Sequence, residues 1–313
     1  MRILAVDDDP SILELLNSVL AAFGYKDVVT ARSGDEALEI LSNPDEAFDC
    51  LLLDVQMPQM NGIALCEEAR KLPGYTYTPI IMVTAMVQKQ YIDEAFEAGA
   101  TDYVTKPFEF SDLKKRLSDA YRMAAERRAA IEVFEADEHA DLGSEVYPDV
   151  RLSDPQYFGD LPGCIGLAEF ENYVIQLSTM HSKAAKIVAV KFVDAERVYK
   201  SSSVSEFRKA MASAGAALLS ATQEGRKVAT YWGNGVFLVI YDNQHESSAD
   251  RLISSNPEVS KKITERAKTD LSLDFQVGQE VPLEAKTKME ALYLIDKAVE
   301  TAEMSEGRAA NFA

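Results

Sequence analysis

Short apolar runs alternate with amphipathic stretches along the first 122 residues. The segments RILAV (2–6), DCLLLD (49–54) and IIMVT (80–84) are continuously apolar or nearly so, and DYVTKP (102–107) is read as the fifth strand of a set. Between them SILELLNSVLAAF, GDEALEILS, GIALCEEARKL and YIDEAFEAG place apolar residues at helical spacing. Strands without polar alternation, separated by amphipathic helices, predict a five-stranded, doubly wound parallel sheet covered on both faces, an α/β domain. A further helix is expected from Ser111, and its stripe of Leu113, Leu117, Ala120, Ala124, Ile131 and Phe134 has two readings. It packs on its own sheet and runs out into a solvated linker, or it pairs with a second copy of the chain.

Beyond that helix the pattern breaks. Residues 123–155 carry the end of the helix and an acidic stretch with Pro and Gly, EADEHADLGSEVYPDVRLSDP, expected to be a linker. From 156 to 313 a second α/β unit is expected. It holds a helix over LAEFENYVIQLSTM, a strand over KIVAVKFVD (186–194) and a long helix over SEFRKAMASAGAALLSATQEG. A hairpin over ATYWGNGVFLVIYD (229–242), a helix over PEVSKKITERAKTD, a strand over LSLDFQVGQEV and a closing helix over MEALYLIDKAVETAEM complete it. In the hairpin, Gly-Asn-Gly supplies positive φ between β-branched and aromatic runs.

Bulk chemistry narrows the function classes. The chain has 313 residues, 47% of them apolar, which suffices for two packed domains. With 51 acidic and 32 basic residues the formal charge is −19, so no general attraction to nucleic acid or to an anionic membrane surface is expected. Three cysteines, Cys50, Cys66 and Cys164, lack paired or metal-ligand spacing and fit a reducing compartment. The opening MRILAVDDDP is too short in its apolar run for a secretory leader, and no stretch approaches a membrane span, so a cytoplasmic location is expected.

Candidate chemistry sits at the predicted strand ends. Asp7 and Asp8 follow the first strand, Asp54 ends the third, Thr84 the fourth, and Lys106 the fifth. The carboxyl ends of an open α/β sheet line one crevice, where ligands bind. Carboxylates gathered there repel, and a hard divalent cation such as Mg²⁺ relieves the conflict. A hydroxyl and an ammonium beside them suit phosphoryl transfer to Asp54: Lys106 neutralises developing charge and Thr84 bonds the attached group.

The segments VDDD, LLLDVQMPQMNG, VTA and DYVTKPF are similar to those of receiver domains of bacterial two-component response regulators, over residues 1–122. The resemblance implies a flavodoxin-like fold with Asp54 as phosphoacceptor and a Mg²⁺ ion held by Asp7, Asp8, Asp54 and the Gln56 backbone carbonyl. It implies that Thr84 and Tyr103 form a switch pair and that Pro107 follows a cis bond. The other reading of Tyr103 is a half-buried strand aromatic. A sensor histidine kinase or phosphotransfer protein as phosphoryl donor, a downstream protein partner and a homodimer are implied as well.

Residues 156–313 resemble the GGDEF family of diguanylate cyclases, through DLPGCIGLAEFENYVIQL, VKFVDAERVYK, VATYWGNGVFLVIY, LDFQVGQEV and YLIDKAVETAEMSEGR in that order. The family's signature loop falls on Trp232, Gly233, Asn234, Gly235 and Val236. The resemblance implies a Trp in the nucleotide's space, an amide in place of a metal carboxylate at Asn234, and glycine in place of the next acid at Gly235. Asp194 stands at the other metal carboxylate, with Glu196 at the following acid; otherwise Asp194 is a polar residue ending a strand. Residues 223–226 lack the family's product-inhibition motif. Two-metal phosphodiester formation needs both carboxylates, and loss of one costs roughly a thousandfold in rate. The expectation is therefore a phosphorylation-controlled response regulator whose output domain has lost cyclase activity and acts by protein interaction. Two alternatives stand beside it: a divergent active nucleotide cyclase, and a non-catalytic sensor of nucleotide or cyclic di-GMP.

Overall fold

The computed structural model describes residues 1–72, 74–122, 151–158, 161, 163–179, 185–221, 227–242 and 275–304. The chain divides into two compact units, Met1–Pro148 and Asp149–Ala313. The boundary falls earlier than the expected Gln156, because Leu152 already packs against the core of the second unit and its carbonyl accepts the Asn234 N–H (2.7 Å).

In the first unit β1 (Arg2–Val6), β2 (Asp27–Ala31), β3 (Cys50–Leu53), β4 (Ile80–Thr84) and β5 (Asp102–Thr105) form one parallel sheet in the order β2-β1-β3-β4-β5. The helices α1 (Pro10–Ala22), α2 (Gly34–Leu41), α3 (Gly62–Lys71) and α4 (Lys89–Glu97) link the strands, and α5, described over 110–122, follows β5. This is the doubly wound parallel sheet expected, with β3 and β4 buried along their whole lengths. The strand DVVTA had no apolar run to announce it because β2 is a half-exposed edge.

Short side chains start the helices. Asp9, Ser33 and Asn61 each cap one, accepting from Ser11 N (2.8 Å), Glu36 N (3.1 Å) and Ala64 N (2.8 Å). Leu113 and Leu117 are fully buried and Ala120 nearly so, in a core shared with Ile3, Leu52, Ile81 and Val104. Each such leucine contributes about 2 kcal/mol by leaving water. The first half of the helical stripe therefore serves its own sheet and is not free to pair with a second copy. Ala124, Ile131 and Phe134 lie outside the described residues.

The second unit is built on an antiparallel sheet. It comprises β6 (Ala185–Phe192), β7 (Lys227–Gly233), β8 (Val236–Asp242), β9 (Phe275–Val277) and β10 (Val281–Pro282), ordered β10-β6-β8-β7 with β9 also on β6. Its described helices are α6 (Leu167–Thr179), α7 (Ala195–Ser201), α8 (Val204–Ala221) and α9 (Lys288–Met304). One face of the sheet packs Val190, Phe192, Tyr231 and Phe237 against Phe207, Met211 and Leu218 of α8. The helix expected over 257–270, the product-inhibition positions 223–226 and the Gly307–Arg308 end lie outside the described residues. No helix among the described residues is long and apolar enough to cross a membrane.

Candidate functional site

The parallel sheet changes winding direction between β1 and β3: the chain leaves β1 for β2 on one side and reaches β3 on the other. A crevice opens at such a switch point, beyond the carboxyl ends of the strands. Backbone bonds align those ends. Asp7 N donates to Ala31 O (3.2 Å), Asp54 N to Val6 O (2.9 Å) and Lys106 N to Thr84 O (2.7 Å). Asp7 and Asp54 thus flank the switch point, at 2% and 7% exposure.

Lys106 joins them. Its Nζ donates to Asp7 Oδ2 (2.5 Å) and to Asp54 Oδ1 (2.9 Å). The remaining oxygens take backbone donors, Asp9 N on Asp7 Oδ1 (3.0 Å) and Gln56 N on Asp54 Oδ2 (2.7 Å). Burial pushes the Asp7 carboxyl above its ordinary value despite the Lys106 ammonium. Burial alone would lower the Lys106 pKa, but its two carboxylate partners outweigh that and hold it above the usual lysine range.

The run of three aspartates divides its labour. Asp7 enters the buried pair, Asp8 is exposed, and Asp9 caps α1. Three carboxylates were expected together; the structure gathers two on one ammonium and leaves the third outside their hydrogen-bond network. Among the described residues no three His, Cys, Asp or Glu side chains form a metal-binding group by themselves. Gln56 meets Asp54 through its backbone N–H, whereas the expectation concerned its carbonyl as a metal ligand.

Thr84 is buried at the end of β4, and its Oγ1 accepts from Met86 N (3.3 Å). Tyr103 is 1% exposed, and its hydroxyl donates to the Met86 carbonyl (2.9 Å). The ring is therefore buried, not half-buried. Burial first, and then the Asp54 charge, raise the phenol pKa above its ordinary value. Met86 links the two switch candidates through its own N–H and C=O, a role that sequence pattern does not reveal because any residue carries those groups.

Three further residues escaped the sequence reading. A Cβ on Gly62 would lie 2.0 Å from the Asp54 carbonyl oxygen, and Gly62 N donates to Val55 O (3.1 Å). Glycine is what lets α3 begin against the loop that follows Asp54. Asp102 is buried at the head of β5, where Arg116 of α5 grips both its oxygens (2.6 and 2.7 Å) and Tyr103 N donates to Oδ1 (2.8 Å). This fork fixes α5 to the strand that carries Tyr103. The Lys106–Pro107 bond is cis, as the resemblance implied.

The residues singled out in the second unit do not converge. Asp194 lies just past β6, which ends at Phe192, and it precedes α7, a short helix that the sequence pattern did not announce. It accepts from Arg197 Nε (3.0 Å), which lowers its pKa. Glu196 is on α7 and takes Lys200 Nζ (2.6 Å), which lowers its pKa too. Both carboxylates are thus paired with side chains of α7, at the surface.

Trp232 was expected in the turn but belongs to β7, beside a bulge between Tyr231 and Gly233. The turn itself is Asn234–Gly235, both at positive φ (52° and 76°), closed by the Gly233–Val236 pair. Its amides are engaged: Asn234 N on Leu152 O (2.7 Å) and Gly235 N on the Tyr231 hydroxyl (3.0 Å). A phosphate-cradling turn needs such N–H groups free. A Cβ at Gly235 would lie 2.3 Å from that of Ala195, so the turn packs directly on the start of α7.

Comparison with known proteins bears on the first unit. Residues 3–118 match the family model described as response regulator receiver domain. The chain is 36% identical over 119 residues to a chemotaxis protein CheY homolog of Campylobacter jejuni, which covers 38% of this chain and 91% of that protein. Among solved structures it is similar to a CheY-like receiver domain protein from Methanospirillum hungatei JF-1. That likeness has 32% identity, 40% of this chain, 97% of the other and a TM-score of 0.38. It is also similar to the receiver domain of a sensor histidine kinase from Pseudomonas aeruginosa PAO1, described with a magnesium ion coordinated in the active site cleft. There the figures are 26% identity, 40% of this chain, 97% of the other and a TM-score of 0.36.

Proposed function

The chain belongs, through residues 3–118, to the response regulator receiver domain family, and from that premise we propose that Asp54 accepts a phosphoryl group whose presence is relayed to an output unit without cyclase chemistry. The observation that carries this reading is the convergence of Asp7 and Asp54 on Lys106 at the sheet's switch point. Asp54 Oδ1 is the nucleophile, oriented by Lys106 on one side and by Gln56 N–H on its other oxygen. Lys106 neutralises charge that develops on the transferred group. The Thr84 hydroxyl, now accepting from Met86 N, is placed to donate to a phosphoryl oxygen. That movement frees the Met86 backbone, to which Tyr103 is also bonded. The consequence reaches β5 and, through Asp102 and Arg116, α5.

The donor set fits a hard dication. Two buried carboxylates share one ammonium, so a negative charge remains uncompensated there, and Asp8, next in the chain to Asp7, is exposed. Asp7, Asp8 and Asp54, with the Gln56 carbonyl, would hold Mg²⁺, which supplies charge neutralisation to the incoming phosphoryl group. The phosphoryl donor in this reading is a sensor histidine kinase or a phosphotransfer protein.

The second unit is read as a GGDEF-like fold without cyclase chemistry, acting on a protein partner. Support comes from Asp194 and Glu196 being paired on α7 and from the turn amides being taken. Beryllofluoride with Mg²⁺ tests the receiver reading. It should raise the unfolding midpoint of the wild-type chain and leave Asp54→Ala unchanged; equal behaviour of the two proteins contradicts the assignment.

A further inference from the structure

We infer that residues 151–156 form a strap, seated on the β7–β8 turn, whose seating is set by the phosphorylation state of Asp54. This rests on the receiver reading above. The strap is the first described part of the second unit after the stretch that joins it to α5, so any signal carried along the chain arrives there first.

The seat is built on both sides. On the turn side, Asn234 N donates to Leu152 O (2.7 Å), and Gln156 bridges Tyr231 in antiparallel fashion. Gly233 has a φ of 115°, and a Cβ there would lie 2.3 Å from the Ser153 carbonyl oxygen, so glycine is what admits the strap. On the strap side, Arg151 N donates to Asp154 Oδ2 (2.8 Å) and Asp154 N to Arg151 O (3.0 Å), which makes a tight turn of these four residues. Leu152 then anchors on the apolar core.

The seat also carries a cost. The Gln156 side chain is 7% exposed, and neither its Oε1 nor its Nε2 has a hydrogen-bond partner. A buried amide left unpaired opposes burial. Farther along, the chain holds to the same β7 edge through Ala229 N on Gly163 O and Ile165 N on Ala229 O (2.8 Å each). Release therefore stops before residue 163. A few backbone bonds set against an unpaired amide make an element whose two positions lie close in free energy, as a switch requires. Undocking bares the Asn234 N–H.

The test treats the full chain with acetyl phosphate and Mg²⁺. The same samples are followed by intact mass and amide exchange. Wild type should gain one phosphoryl group and exchange the Asn234 amide about tenfold faster. Asp54→Asn should do none of these. Leu152→Ala should give the faster Asn234 exchange without phosphoryl donor, while amides of Val236–Asp242 stay protected, showing that the sheet is intact. Phosphoryl gain with no change at Asn234 overturns the strap and leaves the receiver reading standing. Absence of phosphoryl gain overturns both. Unchanged Asn234 exchange in Leu152→Ala shows that the strap is not what covers the turn, and overturns it as well.

Discussion

Each unit of this chain presents acidic side chains at the ends of β-strands, but the two differ in where the balancing charge comes from. At the switch point of the first sheet, Asp7 and Asp54 share an ammonium brought from a residue 99 positions away from Asp7, and both are buried. Past β6 in the second unit, Asp194 and Glu196 are each paired three or four residues along the same helix, near water. Long-range pairing in a buried crevice creates unspent field that a phosphoryl group and a dication can use. Local pairing at the surface dissipates it. A carboxylate near a strand end is thus not a reactive site until the fold withholds nearby partners from it.

That contrast can be broken from either side. The largest effect is expected from Lys106→Met, which strands two buried carboxylates. The first unit should lose about 3 kcal/mol in denaturant unfolding, and acetyl phosphate should no longer label it measurably. Next come the close-approach glycines. Gly62→Ala forces α3 off the Asp54 carbonyl, and Gly235→Ala forces the turn off Ala195. Each should cost about 2 kcal/mol, but only the first should slow labelling of Asp54. Equal labelling rates in the two variants would show that Gly62 does not position the acceptor.

A smaller effect separates charge from packing. The Asp7 pKa is raised in the folded chain, so its ionised form opposes folding; that penalty is full above the raised value and absent below the ordinary 3.8. Asp7→Asn should therefore have the higher unfolding midpoint at pH 7, with the gap closing as pH falls toward 3.8. A gap that stays constant with pH would place the effect in packing. The smallest effect is expected in the second unit. Asp194→Ala should leave the midpoint unchanged. Wild type with GTP or ATP and Mg²⁺ or Mn²⁺ should yield no cyclic nucleotide. Cyclic product that disappears in Asp194→Ala would favour the divergent cyclase.

The first unit was legible because its strands are buried on both faces, so the apolar runs mark the sheet and their last residues mark the crevice. Asp7, Asp54, Thr84 and Lys106 were found that way. What escaped depends on backbone or on distance. The strand β2 lacks an apolar run because it lies at an edge. Met86 acts through its N–H and C=O. The pairing of Asp102 with Arg116 and the exposure of Asp8 follow from three-dimensional placement that no periodicity encodes. In the second unit the hairpin was legible from Asn234–Gly235, whereas the position of Trp232 turned on a bulge, and α7 is too short to declare a helical period. The docking of residues 151–156 was hidden by a composition of Pro, Asp and Ser that reads as linker whether or not it finds a seat.

The most direct test of this account locates the reactive group. The full chain is treated with acetyl phosphate and Mg²⁺, reduced with borohydride, which converts an aspartyl phosphate to homoserine, and mapped by peptide mass spectrometry. Homoserine at position 54 and nowhere in the second unit is the expected result. Homoserine at another position, or none at all, would contradict the claim that buried, remotely balanced charge is what makes Asp54 reactive.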